Sequence, residues 1–205
     1  MGIGVHFAMG GIILVLGNIQ LLEKIRNRWP AFHRFTGRVY VVACLLAALG
    51  GLAFIAVKGT IGGAVMNAGF GLYGLLMLIA GIETWRHAIA RRLELHRAWA
   101  LRLYALAIGS WLYRMDYGFW LMLADGIGHQ KNFEGLFDRI MAFFFYLPNL
   151  LIAEAFIRMR GKKMHLLLQA LSTIVILLMI AILAVGTYYF TKFYWGPAII
   201  EWLGM

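Results

Sequence analysis

The 205-residue chain is 62% hydrophobic and only 14% charged, with a mean hydropathy of +0.78. Soluble domains keep about half their residues apolar and about a quarter charged, so a soluble globular fold is excluded. The net charge of +10 would point to nucleic acid in a soluble chain, but here its placement reads as membrane topology and calls for no nucleic acid.

The apolar residues fall in runs long enough to cross a hydrocarbon core, which takes about 20 residues. Six spans are expected in chain order: Val5 to Leu22, Arg38 to Val57, Gly62 to Ile82, Ala98 to Ala124, Arg139 to Ile157 and Leu166 to Phe190. The fold class is an all-α polytopic bundle forming a single integral-membrane domain over 1–205. The N-terminus has no basic region before its apolar run, so a retained first helix is expected instead of a cleaved signal peptide. The only cysteine, Cys44, lies within an apolar run, which excludes intrachain disulfides and thiolate metal clusters. No C-x-x-C-H is present, so covalent c-type haem is excluded too.

Charge sets the orientation. The loops after spans one, three and five, with the adjoining helix starts, carry 14 of the 19 basic residues, from Lys24, Arg26 and Arg28 through Arg86, Arg91 and Arg92 to Arg158, Arg160, Lys162 and Lys163. By the positive-inside rule these loops are cytoplasmic and both termini face outward. Such arginines also attract anionic lipid head groups, by about 1 kcal/mol each near the surface. At the other side, Thr187 to Trp195 reads as an aromatic belt. The tail with Ile199, Ile200, Trp202 and Leu203 reads as an interfacial segment.

Two stretches repeat imperfectly. RWPAFHRFTGRVY, from Arg28 to Tyr40, is a basic turn ahead of span two, and LHRAWALRLY, from Leu95 to Tyr104, precedes span four. Each has a His-Arg pair (His33-Arg34, His96-Arg97), then an Arg (Arg38, Arg102), then a Tyr. Spans one–two and three–four thus form two like-oriented hairpins, with a pseudo-two-fold along the membrane normal and spans five and six added outside a four-helix core. That geometry puts His33 and His96 at equal depth.

Charges inside spans cost about 2.5–3.5 kcal/mol on insertion scales and need partners or a purpose. Arg102 and Glu154 lie at similar depth and are expected to meet or to share a ligand. An outer polar cluster of His6, Arg114 and Asp116 is the second candidate. Pro148 should bend span five, leaving Asn149 to bridge helices or line a cavity. Neutral imidazoles on facing helices can hold haem iron, and arginines can neutralise its propionates. His33, Arg34, Arg38, His96, Arg97, Arg102 and Glu154 are therefore the candidate cofactor residues, for haem b or a quinone, with His33 and His96 as iron ligands in membrane electron transfer. The same groups suit a transporter or binder of an anionic solute or lipid, or a non-catalytic subunit or assembly factor of a membrane complex. No H-E-x-x-H, G-x-S-x-G or phosphate-binding glycine loop is present.

Taken in order, His6, His33-Arg-Phe-Thr-Gly-Arg-Val-Tyr40, His96-Arg-Ala-Trp-Ala-Leu-Arg-Leu-Tyr-Ala105, Arg114 and Leu147-Pro-Asn-Leu-Leu-Ile-Ala-Glu154 resemble a bacterial family of predicted multi-pass membrane proteins defined as a domain of unknown function. The resemblance covers most of Val5 to Arg160 and implies a multi-pass helical protein of the bacterial inner membrane. Asp116 and the tail beyond Lys163 have no match in it. The His-Arg-before-helix pattern is also loosely similar to small membrane proteins of haem-copper oxidase assembly, which implies haem-related roles without carrying residues over.

Overall fold

The computed structural model describes residues 2–160 and 166–195, with Pro197, Ile200 and Glu201 beyond them; side chains are described from Met9 to Arg160 and at scattered positions from Ile174 onward. Among these residues every regular element is helical. In order they are α1 (Gly2–Leu21), α2 (Glu23–Arg28), α3 (Pro30–Lys58), α4 (Gly63–Ile89), α5 (Leu93–Ala124), α6 (Leu136–Phe144), α7 (Leu147–Met159), α8 (Leu166–Phe190) and a π-helical turn, Thr191–Trp195. Among the described residues three stretches are long and apolar enough to cross a membrane: α3, α4, and α6 with α7 taken together over Leu136–Met159.

The helices outrun their apolar cores, and this corrects the reading of Arg28 to Tyr40 as a turn. Pro30 stands at the first helical position, where its missing N–H costs nothing, so α3 starts there and carries His33 and Arg34 on the helix itself. α5 likewise starts at Leu93, ahead of His96. α4 runs on past Ile82 through Glu83, Thr84 and His87, and ends where Arg91 takes a left-handed φ of 55°. With 32 residues, α5 is about 48 Å long, well beyond a core about 30 Å thick.

The described residues group into two compact units. The first holds 1–111 and 128–157. Within it α3 and α4 form a hairpin whose turn is fixed by Asn67: its Oδ1 accepts from Thr60 N (2.6 Å) and Thr60 Oγ1 (2.8 Å). Gly74 and Gly81 of α4 admit the Leu52 and Leu45 side chains of α3. Such close approach is what small residues provide between helices in membranes.

The expected bend at Pro148 takes the form of a break. α6 ends at Phe144 and α7 begins at Leu147, because proline has no N–H to continue the ladder. Asn149 Nδ2 donates to the carbonyl of Phe145, four residues before it and in the break between the two helices (2.9 Å). The break is packed by aromatics. Tyr146 is fully buried and its hydroxyl donates to Gly69 O (3.2 Å), while Tyr73 donates to Leu106 O (3.1 Å) and its ring lies 5.0 Å from that of Phe145. Gly69 lies against the Ala142 carbonyl with no room for a Cβ, whereas Gly71 faces open space. Gly69→Ala should therefore destabilise by about 1–3 kcal/mol through overpacking. Gly71→Ala should gain about 0.5–1 kcal/mol from helix propensity. Thermal unfolding of both variants in detergent separates packing from propensity.

The second unit holds 112–127 and 158–205. Met115 and Tyr117 are buried in it, Gly186 of α8 packs on Phe119, and Trp120 Nε1 donates to Ile127 O (2.7 Å). At the end of α8, Tyr188, Tyr189 and Phe193 are exposed, and Lys192 Nζ lies 5.4 Å from the Phe193 ring centre. Lys162, Lys163, Ile199, Trp202 and Leu203 lie outside the described residues.

Candidate functional site

The two repeats meet. His33 stands in the first turn of α3 and His96 in the first turn of α5, both half-buried. His96 lies close enough to His33 to act on it electrostatically, as do Arg26 and Arg34. Each imidazole is held at Nδ1 from an earlier helix, His33 from α1 and His96 from α4. His96 Nδ1 is 2.9 Å from Thr84 O. A carbonyl only accepts, so Nδ1 carries the proton and Nε2 keeps its lone pair. His33 Nδ1 lies 3.0 Å from the Gln20 amide, whose other end meets Thr36 Oγ1 at 2.7 Å. That amide end also lies 3.3 Å from His33 O and its other end 3.2 Å from Gly37 N, so its NH2 donates to His33 Nδ1, and the ring proton of His33 sits on Nε2. Gln20 precedes His33 by thirteen residues and Thr84 precedes His96 by twelve, the same one-residue offset that the repeat itself has.

The repeat tyrosines meet as well. Tyr40 and Tyr104 both pack on Gly17 of α1, where an added Cβ would lie 3.1 Å from each ring. Tyr104 donates to Asn18 Oδ1 (2.7 Å), while the Tyr40 hydroxyl is buried beside the Cys44 thiol without a well-formed hydrogen bond. Gly17 is thus the residue whose small size lets α3 and α5 approach across α1.

Arg102 and Glu154 are joined. Arg102 Nε and Nη2 donate to Glu154 Oε2 at 3.0 and 2.6 Å, and the guanidinium carbon sits 4.7 Å from the Trp99 ring centre. The pair walls a groove of about 280 Å³ between α4, α5 and α7, with Leu76, Ile79, Ala80, Leu106, Leu150 and Leu151. Neither histidine lines this groove, so the candidate residues separate into two places: the histidine layer and the ion-pair groove. Arg34 and Arg38 lie on the exposed side of α3, and Arg97 is half-buried. Of the outer cluster, Arg114 is exposed and Asp116 half-buried, as their spacing requires; the side chain of His6 lies outside the described residues.

Two polar groupings went unread in the sequence. His87 is 4% exposed, with Nε2 3.2 Å from Glu83 Oε2, and Arg86 Nη2 reaches the same oxygen at 2.7 Å. The i,i+4 Glu-His spacing was the available signal. The other is Asp138, fully buried, which accepts from His129 Nδ1 (2.7 Å), Gln130 N (3.0 Å) and Gly135 N (3.0 Å). It ties the 125–135 loop to the start of α6. Among the described residues no three His, Cys, Asp or Glu side chains converge as a metal site.

Three helical stretches long and apolar enough to cross a membrane, with every regular element among the described residues helical, mark a helical membrane protein. The chain belongs to the family described as predicted membrane protein (DUF2306), whose model matches residues 3–157. That match ends just past Glu154, so both repeats and the groove lie within it. No curated protein and no solved structure matches the chain.

Proposed function

We propose that this is a six-span electron-transfer protein of the bacterial inner membrane that holds a haem-type cofactor between His33 and His96. In this reading α1, α3, α4, α5, the α6–α7 pair and α8 are the spans, with the basic loops inside and both termini outside. The first four form two like-oriented hairpins about a pseudo-two-fold. The observation that carries the reading is the pair of repeat imidazoles within electrostatic reach, each held at Nδ1 from a preceding helix. At His96 the Nδ1–H given to Thr84 O leaves Nε2 for the iron, as in metal-bound histidines, whereas His33 would bind through Nε2 only with its proton moved to Nδ1 and the Gln20 amide turned to accept it. Haem would supply one-electron chemistry, and Arg34, Arg38 and Arg97 are the cations nearest in sequence for its propionates. Protein purified from haem-supplemented cells should show a Soret band and a reduced-minus-oxidised difference spectrum. His33→Ala and His96→Ala should each lower bound haem at least tenfold. Wild-type protein that takes up no haem, or variants that keep it, would refute this reading.

A further inference from the structure

The two repeat histidines are held by partners of different kinds, and the difference makes them unequal. His96 Nδ1 meets the Thr84 carbonyl of α4, a backbone atom that only accepts. His33 Nδ1 meets the Gln20 amide of α1, a side-chain group with one donating end and one accepting end. Exchanging those ends takes only rotation about the last side-chain torsion, which is broad and roughly two-fold in glutamine, so no backbone has to move. His96 therefore keeps Nε2 open to a ligand in either case. The nitrogen that His33 leaves open depends on which way Gln20 is turned.

Both orientations find partners, of unequal quality. At rest the NH2 donates to His33 Nδ1 at 3.0 Å and lies 3.3 Å from His33 O, while the amide oxygen accepts from Thr36 Oγ1 at 2.7 Å and from Gly37 N at 3.2 Å. Turned over, the NH2 donates to Thr36 Oγ1 at 2.7 Å, and the Thr36 hydroxyl gives its one proton to Phe32 O at 2.8 Å. The amide oxygen then accepts a proton carried on His33 Nδ1 across the same 3.0 Å, and His33 Nε2 is left with its lone pair. The turned state also sets the Gln20 oxygen against His33 O and the Gln20 NH2 against Gly37 N. Those two oppositions make the resting state the preferred one, while amide and hydroxyl rotation alone reach the other. An ionised carboxylate has no donating end, so glutamate at this position is matched only by an Nδ1–H on His33.

We propose that Gln20 is the positioning residue of the histidine layer: its resting amide withholds His33 Nε2, so that His96 offers a ligand nitrogen at rest and His33 only once the amide has turned. The identity of the ligand rests on the haem reading; the control of the His33 ring does not. The first arm of the test is NMR of full-length, haem-free protein in nanodiscs, its histidines carrying labelled ring nitrogens, with His33→Ala and His96→Ala assigning the signals. Wild type should carry the proton on Nε2 of His33 and on Nδ1 of His96. Gln20→Glu should move the His33 proton alone, to Nδ1, and Gln20→Leu should leave His33 a mixture of both forms. In the second arm, haem titrated into the same proteins should bind Gln20→Glu at least tenfold more tightly than wild type, within the range of about 10–100-fold over which hydrogen-bond partners of metal-bound histidines act. An Nδ1 proton on His33 in wild type, a His33 ring unmoved in both Gln20 variants, or equal haem affinity in wild type and Gln20→Glu would each overturn the proposal. Haem taken up by none of these proteins, with the ring protons placed as expected, would refute the haem reading and uphold the control of His33 by Gln20.

Discussion

Glu154→Gln should lower the stability of the folded protein by about 2–3 kcal/mol, because it leaves the Arg102 guanidinium largely buried without a counter-charge. The side chains of Arg102 and Glu154 are 22% and 28% exposed and line the groove between α4, α5 and α7. Arg102→Leu should do similar damage by stranding the carboxylate. The double variant Arg102→Leu/Glu154→Leu should recover most of the loss, since two matched apolar groups replace an ion pair whose desolvation already offsets much of its attraction. Thermal unfolding in detergent measures this as a drop of about 4–12 °C for each single variant, at about 2–4 °C per kcal/mol. A double variant whose loss equals the sum of the two would show that the pair is not coupled.

Asp138→Ala should be the most damaging single change, at about 3–5 kcal/mol. It would leave two backbone N–H groups and the His129 imidazole without their shared acceptor at a fully buried position. The loop it anchors packs over the α3–α4 turn, where the Phe133 carbonyl lies against Gly62 and the Glu134 carboxylate against Gly63. The effect should therefore spread. Hydrogen exchange should accelerate across 125–135 and also at Thr60, whose N–H is held by Asn67. Asp138→Asn keeps one acceptor oxygen and should cost roughly half as much. Exchange that rises in the loop alone would show that loop and turn are not coupled.

The sequence was most legible where residue chemistry and helix register act together. The membrane class followed from composition. The meeting of Arg102 with Glu154 followed from depth alone, because buried charges within apolar helices must find partners. Of the two repeats, Tyr40 and Tyr104 share Gly17, and His96 acts electrostatically on His33. Hydropathy misplaced the helix starts: it cannot see Pro30 opening a helix through polar residues, nor α4 continuing past its last apolar turn. Both histidines lie outside the groove that Arg102 and Glu154 wall. His96 and Arg102, six residues apart on α5, face different neighbours, Thr84 in one case and α7 in the other, and direction around a helix is lost when only depth is read. Asp138 was hidden because a loop carboxylate looks solvated until its backbone donors are placed.

The claim on which the functional reading turns is that His33 and His96 stand close together. It is tested directly by a Cys44→Ser, His33→Cys, His96→Cys protein treated in membranes with a short bismaleimide. The account predicts an intrachain cross-link between positions 33 and 96, identified by mass spectrometry of the digest. A control pairing position 33 with a cysteine at 129, beside the α3–α4 turn at the other end of α3, should give none. A 33–96 yield no higher than that control would contradict the account.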